Sequence, residues 1–315
     1  MTPSASVAVV TDSAAGLPDS FLEQYNISVV PYYVHLGETS YISGVTIDPP
    51  TFFERLRAAP EMEVHTGVPT IAKFLDVYRD LADWAEGIVG IHVAGKMSGT
   101  CSAAEVAAAQ SPVPVVVLDT ETSAMGEGYA VLSAARAAQE GGTLEQVVAT
   151  AKATISNTGL YALLESVTYA LKGGRLSATA AKVGSRLRIQ PLIRVKNNSL
   201  NLIGQVRRRS RGVTALMDKV VDEVRDDPVH IAVHYAEDES EGQSVLASLR
   251  ARLNCVESYL MRVPVELGVH AGPGALGIGY HVEREESAGL VQQIEERLGR
   301  ITTQAKDAVR SRLHQ

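Results

Sequence analysis

Four short segments set hydroxyls, glycines or imidazoles beside apolar runs, where chemistry could be done. The first, Thr11-Asp12-Ser13, follows the run Val7–Val10 and precedes Leu17-Pro18. Polar residues there suit the cap of a following helix. The second, His65-Thr66-Gly67-Val68-Pro69-Thr70, leads into a helical pattern from Ile71, with Thr70 suited to the N-cap and Thr66 left without that task. The third, Gly95-Lys96-Met97-Ser98-Gly99-Thr100, joins the run Ile88–Val93 to a helix expected from about Gly99. Ligands of open α/β sheets bind at the carboxyl ends of strands. A helix start there offers free N–H groups and partial positive charge to a carboxylate or phosphate. Ser98 can serve as an N-cap or as a ligand-binding hydroxyl. It does not read as a nucleophile, because Gly95 stands three residues ahead and Gly99 follows directly, so the G-x-S-x-G elbow is missing.

The fourth segment, His270-Ala271-Gly272-Pro273-Gly274-Ala275-Leu276-Gly277, matches G-x-G-x-x-G letter for letter. A dinucleotide fingerprint opens a helix after a strand, whereas these glycines lead into the strand-like run Gly277–Val282, and Pro273 removes an N–H. No G-x-x-x-x-G-K-[ST] loop occurs either, so no nucleotide cofactor is expected. His270 can be a plain loop residue or a ligand contact. Cys101 and Cys255 are far apart and outside any CxxC or His/Cys cluster, which argues against zinc and for isolated thiols.

The elements that must position these segments follow from periodicity. Val7–Val10, Ile27–Val34, Ile88–Val93 and Val113–Leu118 are rich in β-branched residues and apolar on both faces. Helical patterns lie at about Pro18–Tyr25, Pro49–Ala58, Ile71–Trp84, Gly99–Gln110, Gly126–Glu140 and Leu144–Ser156. Such alternation describes a parallel sheet between helix layers. Beyond Asn157, Leu192–Val195 and Leu200–Ile203 flank Asn197-Asn198 as a hairpin. Further strands are expected at Ile231–Tyr235, Cys255–Val263 and Gly277–Val282, with a helix at about Glu241–Leu253. The fold class is therefore α/β in two domains, a parallel-sheet domain over 1–160 and a mixed-sheet domain over 161–315.

Bulk properties narrow the function. A net charge of −7 and 5% aromatic residues fit neither phosphate neutralisation nor base stacking, so no nucleic-acid partner is expected. No run of eighteen apolar residues suggests a transmembrane helix, and the N-terminus reaches Val7 without a signal-peptide pattern, which makes the cytoplasm the expected compartment. From Glu283 onward, Val291, Ile294, Leu298, Ile301, Ala305 and Val309 recur at helical spacing. A helix with that stripe is expected to dock on its own second domain or to join two chains.

The ordered set of segments resembles the bacterial DegV family along nearly the whole chain. The matching pieces are Thr11-Asp12-Ser13 with Leu17-Pro18, Ile27–Pro31, Thr66–Pro69, Ser98-Gly99-Thr100, Leu171–Leu176, Pro191-Leu192-Ile193, Arg207 and His270–Gly277. The resemblance implies a two-domain fold that buries a long-chain fatty acid, a lipid-binding carrier rather than an enzyme. It is similar to the binding subunit of bacterial fatty acid kinase, in which a separate kinase subunit phosphorylates the held carboxylate. By that similarity Thr66 and Ser98, with Gly99, Thr100 and His270 nearby, would hold the carboxylate. Arg175 and Arg207 would meet the kinase. Where the family often has Thr-Ser-Gln-Pro, this chain has Thr66-Gly67-Val68-Pro69. A second reading takes the fold as similar to the substrate-binding half of dihydroxyacetone kinases, with His270, His92 or His65 engaging a small carbonyl compound.

Overall fold

A computed structural model describes residues 6–176 and 189–284 of the chain. The apolar stretch after Ser6 forms β1 (Val7–Asp12), in which every residue is buried, as a central strand covered on both faces requires. The chain continues through α1 (Asp19–Gln24), β2 (Ile27–Val30), β3 (Tyr33–Leu36), β4 (Thr39–Ile42), α2 (Pro49–Ala58), β5 (Val64–Gly67) and α3 (Ile71–Ala82). It then passes through β6 (Gly87–His92), α4 (Thr100–Ala108), β7 (Val115–Asp119), α5 (Met125–Gln139) and α6 (Leu144–Ser156). Strands β2, β1, β6 and β7 lie side by side in that order, all parallel. This is the parallel sheet expected from the alternation of apolar runs and helices.

The expected single strand over Ile27–Val34 is two strands in two sheets. Pro31 has no N–H to give to a ladder, and the chain turns there. Its second half, β3, pairs antiparallel with β4 and β5 in a separate three-stranded sheet. That small sheet and α2 form one unit. Phe52, Phe53 and Leu56 of α2 pack with Val265 and Val269 of the second half in one apolar cluster.

The second half holds β8 (Thr158–Leu163), α7 (Thr168–Lys172), β9 (Gln190–Lys196), β10 (Ser199–Val206) and α8 (Arg209–Val224). It continues with β11 (Val229–Tyr235), α9 (Glu239–Arg252), β12 (Cys255–Arg262), α10 (Val265–Ala271) and β13 (Leu276–Val282). The six strands run in the order β10-β9-β8-β13-β11-β12. Only the β11–β12 pair is parallel, so the sheet is mixed, as expected. The hairpin turn is Asn197-Asn198, both left-handed with φ of 52° and 59°, the conformation a two-residue turn of this hand demands. Helix α5 lies between the two large sheets: Met125 and Tyr129 share a core with Val9 and Val89 of one and with Ala232 and Met261 of the other.

His270, read from the sequence as a plain loop residue or a ligand contact, is not in a loop: it sits in the last turn of α10, and Gly272 at φ 80° closes that helix. A Cβ at Gly272 would overlap the Tyr169 ring, so both the backbone angle and the space require glycine. Helix α8 carries Leu216, Val220 and Val224 buried at four-residue spacing, a stripe the sequence reading did not register. The helix expected over the C-terminal tail lies outside the described residues.

Candidate functional site

The turn after β1 builds one wall. The Asp12 carboxylate accepts the Ala14 N–H at 3.0 Å, the Val93 N–H at 3.1 Å and the His92 Nδ1–H at 3.2 Å. One buried side chain thereby ties the turn Ser13–Ala15 to the end of β6. Ser13 Oγ accepts the Tyr32 N–H at 3.1 Å and fixes the residue that links the two N-terminal sheets. Asp12 caps the short turn Ser13–Ala15, whereas the helix expected next, α1, begins after Pro18 without a side-chain cap. The Asp12 and Ser13 contacts also place Tyr32 and the loop that carries Ser98.

Tyr32 Oη stands 2.5 Å from Ser98 Oγ and 2.5 Å from Thr100 Oγ1, and those two hydroxyls are 2.8 Å apart. Burial, and after it the Asp12 charge, raises the Tyr32 pKa well above the ordinary phenol value, so the phenol keeps its proton and can donate. Gly99, not Ser98, is the N-cap of α4 and offers no side-chain cap. Ser98 Oγ instead accepts the Thr100 N–H at 3.3 Å. Three hydroxyls thus stand at a helix start, where free N–H groups add partial positive charge.

Thr66 comes from β5, a strand where the sequence suggested a loop, and its Oγ1 is 3.3 Å from His270 Nε2. His270 Nδ1 is buried and no described residue bonds it. It faces Gly173, where a Cβ would overlap that nitrogen. Burial first, and the Arg175 charge second, lowers the His270 pKa to about 3, so the ring is neutral at physiological pH. With no described residue to take a proton from Nδ1, the proton is placed on Nε2, which donates towards Thr66.

These groups open on a cavity with about 950 Å³ of unfilled space, the open solvent at its mouth included. Leu160, Ala162, Leu164, Ile193, Val195 and Leu200 give it an aliphatic wall from the large mixed sheet and its edge hairpin. Thr66, Ser98 and His270 all line it. Thr100 is buried behind Ser98, and Gly99 is exposed and outside the wall.

Arg175 was expected on an open, partner-facing surface. It is half-buried in the cavity wall, because its Nε donates to Met97 O at 3.1 Å and its Nη1 to Gly173 O at 2.5 Å. Among the described residues it bonds these two carbonyls and no carboxylate. Arg207 is exposed, on the bend between β10 and α8. Of the other histidines considered, His92 is fully buried against Asp12, and His65 is exposed and stacks on His35 at 4.8 Å. Neither lines the cavity. The hairpin turn supports the site from outside: Asn198 Oδ1 accepts the Lys96 N–H at 3.2 Å, and its Nδ2 donates to Asp119 at 2.8 Å.

Sequence reading missed Tyr32 and Glu266, both in the wall. A signal for Tyr32 was present in Pro31, a strand-breaker at the carboxyl end of a parallel strand. Glu266 had a weaker one, a glutamate four residues before His270 in an otherwise apolar stretch. Among the described residues there is no cluster of His, Cys, Asp or Glu that could hold a metal, and no helix long and apolar enough to cross a membrane. Both cysteines are free.

The profile of an uncharacterised protein family, DegV, matches residues 6–283. A DegV domain-containing protein of Streptomyces coelicolor is 34% identical over 274 residues, 86% of this chain and 97% of the relative. A DegV family protein from Thermus thermophilus, described as fatty acid binding, superposes with a TM-score of 0.80 at 26% identity, over 88% of this chain and 100% of its own. DegV of Bacillus subtilis, described as a fatty acid binding protein, gives 0.80 and 26%, over 89% and 100%.

Proposed function

The chain belongs to the DegV family, and from that premise and its cavity we propose that it binds a long-chain fatty acid by the carboxylate. The observation that carries the reading is one aliphatic cavity whose wall also gathers Ser98, Thr66, His270 and Arg175. The Ser98 hydroxyl, the Thr66 hydroxyl freed to donate because it accepts the His270 N–H, and a guanidinium that bonds no described carboxylate are a donor set for an anion. The aliphatic wall suits the tail. Burying about sixteen carbons is worth roughly 12 kcal/mol at ~0.8 kcal/mol per CH₂, before ordering costs. A small carbonyl compound would leave that wall uncovered. The described relatives from Thermus thermophilus and Bacillus subtilis support the same reading.

The test is a titration of delipidated protein with hexadecanoate. Each of Ser98→Ala and Thr66→Ala should weaken binding by roughly 1–3 kcal/mol, the range for a lost bond to a charged group. Wild-type affinity in the double variant would overturn the carboxylate assignment.

The reading extends to presentation of the bound carboxylate to a separate fatty acid kinase, with exposed Arg207 on the docking face. Protein, hexadecanoate and ATP alone should then yield no acyl phosphate, and adding a kinase subunit of that class should yield it. Arg207→Glu should abolish the kinase-dependent reaction while leaving hexadecanoate affinity unchanged. Loss of lipid affinity in that variant would contradict the docking role.

A further inference from the structure

Glu266 is 2% exposed and lines the cavity, yet the carboxylate reading does not use it. Its Oε2 accepts a 2.5 Å bond from Ser43 Oγ, and the Ser13 hydroxyl stands beside the carboxyl. Its Oε1 is buried and no described residue bonds it. Joining α10 to the turn at Ser43 needs only Oε2. A structural role therefore leaves the second oxygen unexplained, and a buried polar atom without a partner costs free energy.

Position gives that oxygen a use. Glu266 and His270 are four residues apart on α10 and share one face of the helix, separated by about 6 Å along its axis. An extended chain advances about 1.2 Å per bond, so four or five bonds cover that distance. A ligand whose carboxyl carbon sits at His270 thus brings its fifth or sixth carbon level with Glu266. We infer that Glu266 is a second polar anchor of the cavity, which selects acyl chains with a hydroxyl four or five carbons from the carboxyl, as in 5-hydroxy fatty acids.

The charge state fits a hydroxyl better than an ammonium. Burial raises the Glu266 pKa above its ordinary value, the Ser13 and Ser43 hydroxyls opposing, so the neutral form is favoured beside another carboxylate. A neutral carboxyl can both give and receive a bond, and a hydroxyl can do the same. An ammonium would need the ionised form that burial opposes.

This inference rests on the carboxylate reading, and its test separates the two. Delipidated wild-type protein is titrated with hexadecanoate and with 5-hydroxyhexadecanoate, and the same pair is applied to Glu266→Leu. The wild type should prefer the hydroxy acid by about three- to tenfold, the size of one net hydrogen bond. In Glu266→Leu the ratio should fall to one or below. Hexadecanoate binding without discrimination in the wild type overturns the role of Glu266 and leaves the carboxylate reading standing, and this arm decides the matter even if the variant does not fold. The same ratio in variant and wild type also overturns it. Failure of both ligands to bind the wild type overturns both readings.

Discussion

At the scale of single residues, a buried acid beneath the site is the most exacting feature. Glu127, in the first turn of α5, is fully buried. Its Oε1 accepts the Thr11 hydroxyl at 3.2 Å, and its Oε2 has no partner among the described residues. Burial first, and the nearby Asp12 charge second, raises its pKa well above the ordinary 4.5. The folded chain therefore holds this proton more tightly than the unfolded chain does. The stability that comes with it is complete below about 4.5 and is lost as pH rises through the raised value. Glu127→Gln has no proton to lose. Thermal melts of the two proteins between pH 5 and pH 9 should show the variant gaining on the wild type as pH rises, and a constant difference would contradict this account. His270 behaves in the opposite sense. With a pKa lowered to about 3 by burial, the ring of the ligand-free chain stays neutral throughout that range.

At the scale of elements, the unit formed by β3, β4, α2 and β5 brings Thr66 and Ser43 to α10. It is tied to the second half by Arg57, which bonds Glu165 at 2.8 Å and Glu237 at 2.9 Å. The Arg57 and Glu165 side chains are 48% and 42% exposed, so water screens the pair. Arg57→Ala should cost less than about 1 kcal/mol of global stability. It should nonetheless speed release of a fluorescent fatty acid in stopped flow, because the unit holding Thr66 loses its outer tie. An unchanged release rate would mean that the apolar packing of Phe52 and Phe53 suffices.

The same unit shows where sequence reading stops. Long runs with one period were legible: β1, β6, α2 and α6 fall where their patterns place them, as does the Asn197-Asn198 turn. Strands β3, β4 and β5 have four residues each, and His35, Ser40 and His65 among them carry no apolar alternation. Their pairing is a tertiary fact. Thr66, Ser98 and His270, which line the cavity, stand out in the sequence because each lies beside a strand, a helix start or a glycine-rich turn. Arg175 was misplaced because a half-buried arginine that bonds two carbonyls has no local signature distinguishing it from a surface one.

At the scale of the molecule, two large sheets meet across α5, and the cavity draws its wall from both halves. Tyr32, Thr66 of β5 and Ser98 of the β6–α4 loop supply polar groups, the mixed sheet supplies the aliphatic surface, and α10 adds Glu266 and His270. Among the described residues this arrangement sets an aliphatic wall and a group of polar side chains around one cavity. The most direct measurement is mass spectrometry of an organic extract of the protein purified without added lipid, with ligand counted per chain. The account predicts close to one long-chain fatty acid per protein, lost from the Ser98→Ala/Thr66→Ala double variant. An extract free of fatty acids, from protein that also takes up none when it is supplied, would contradict it.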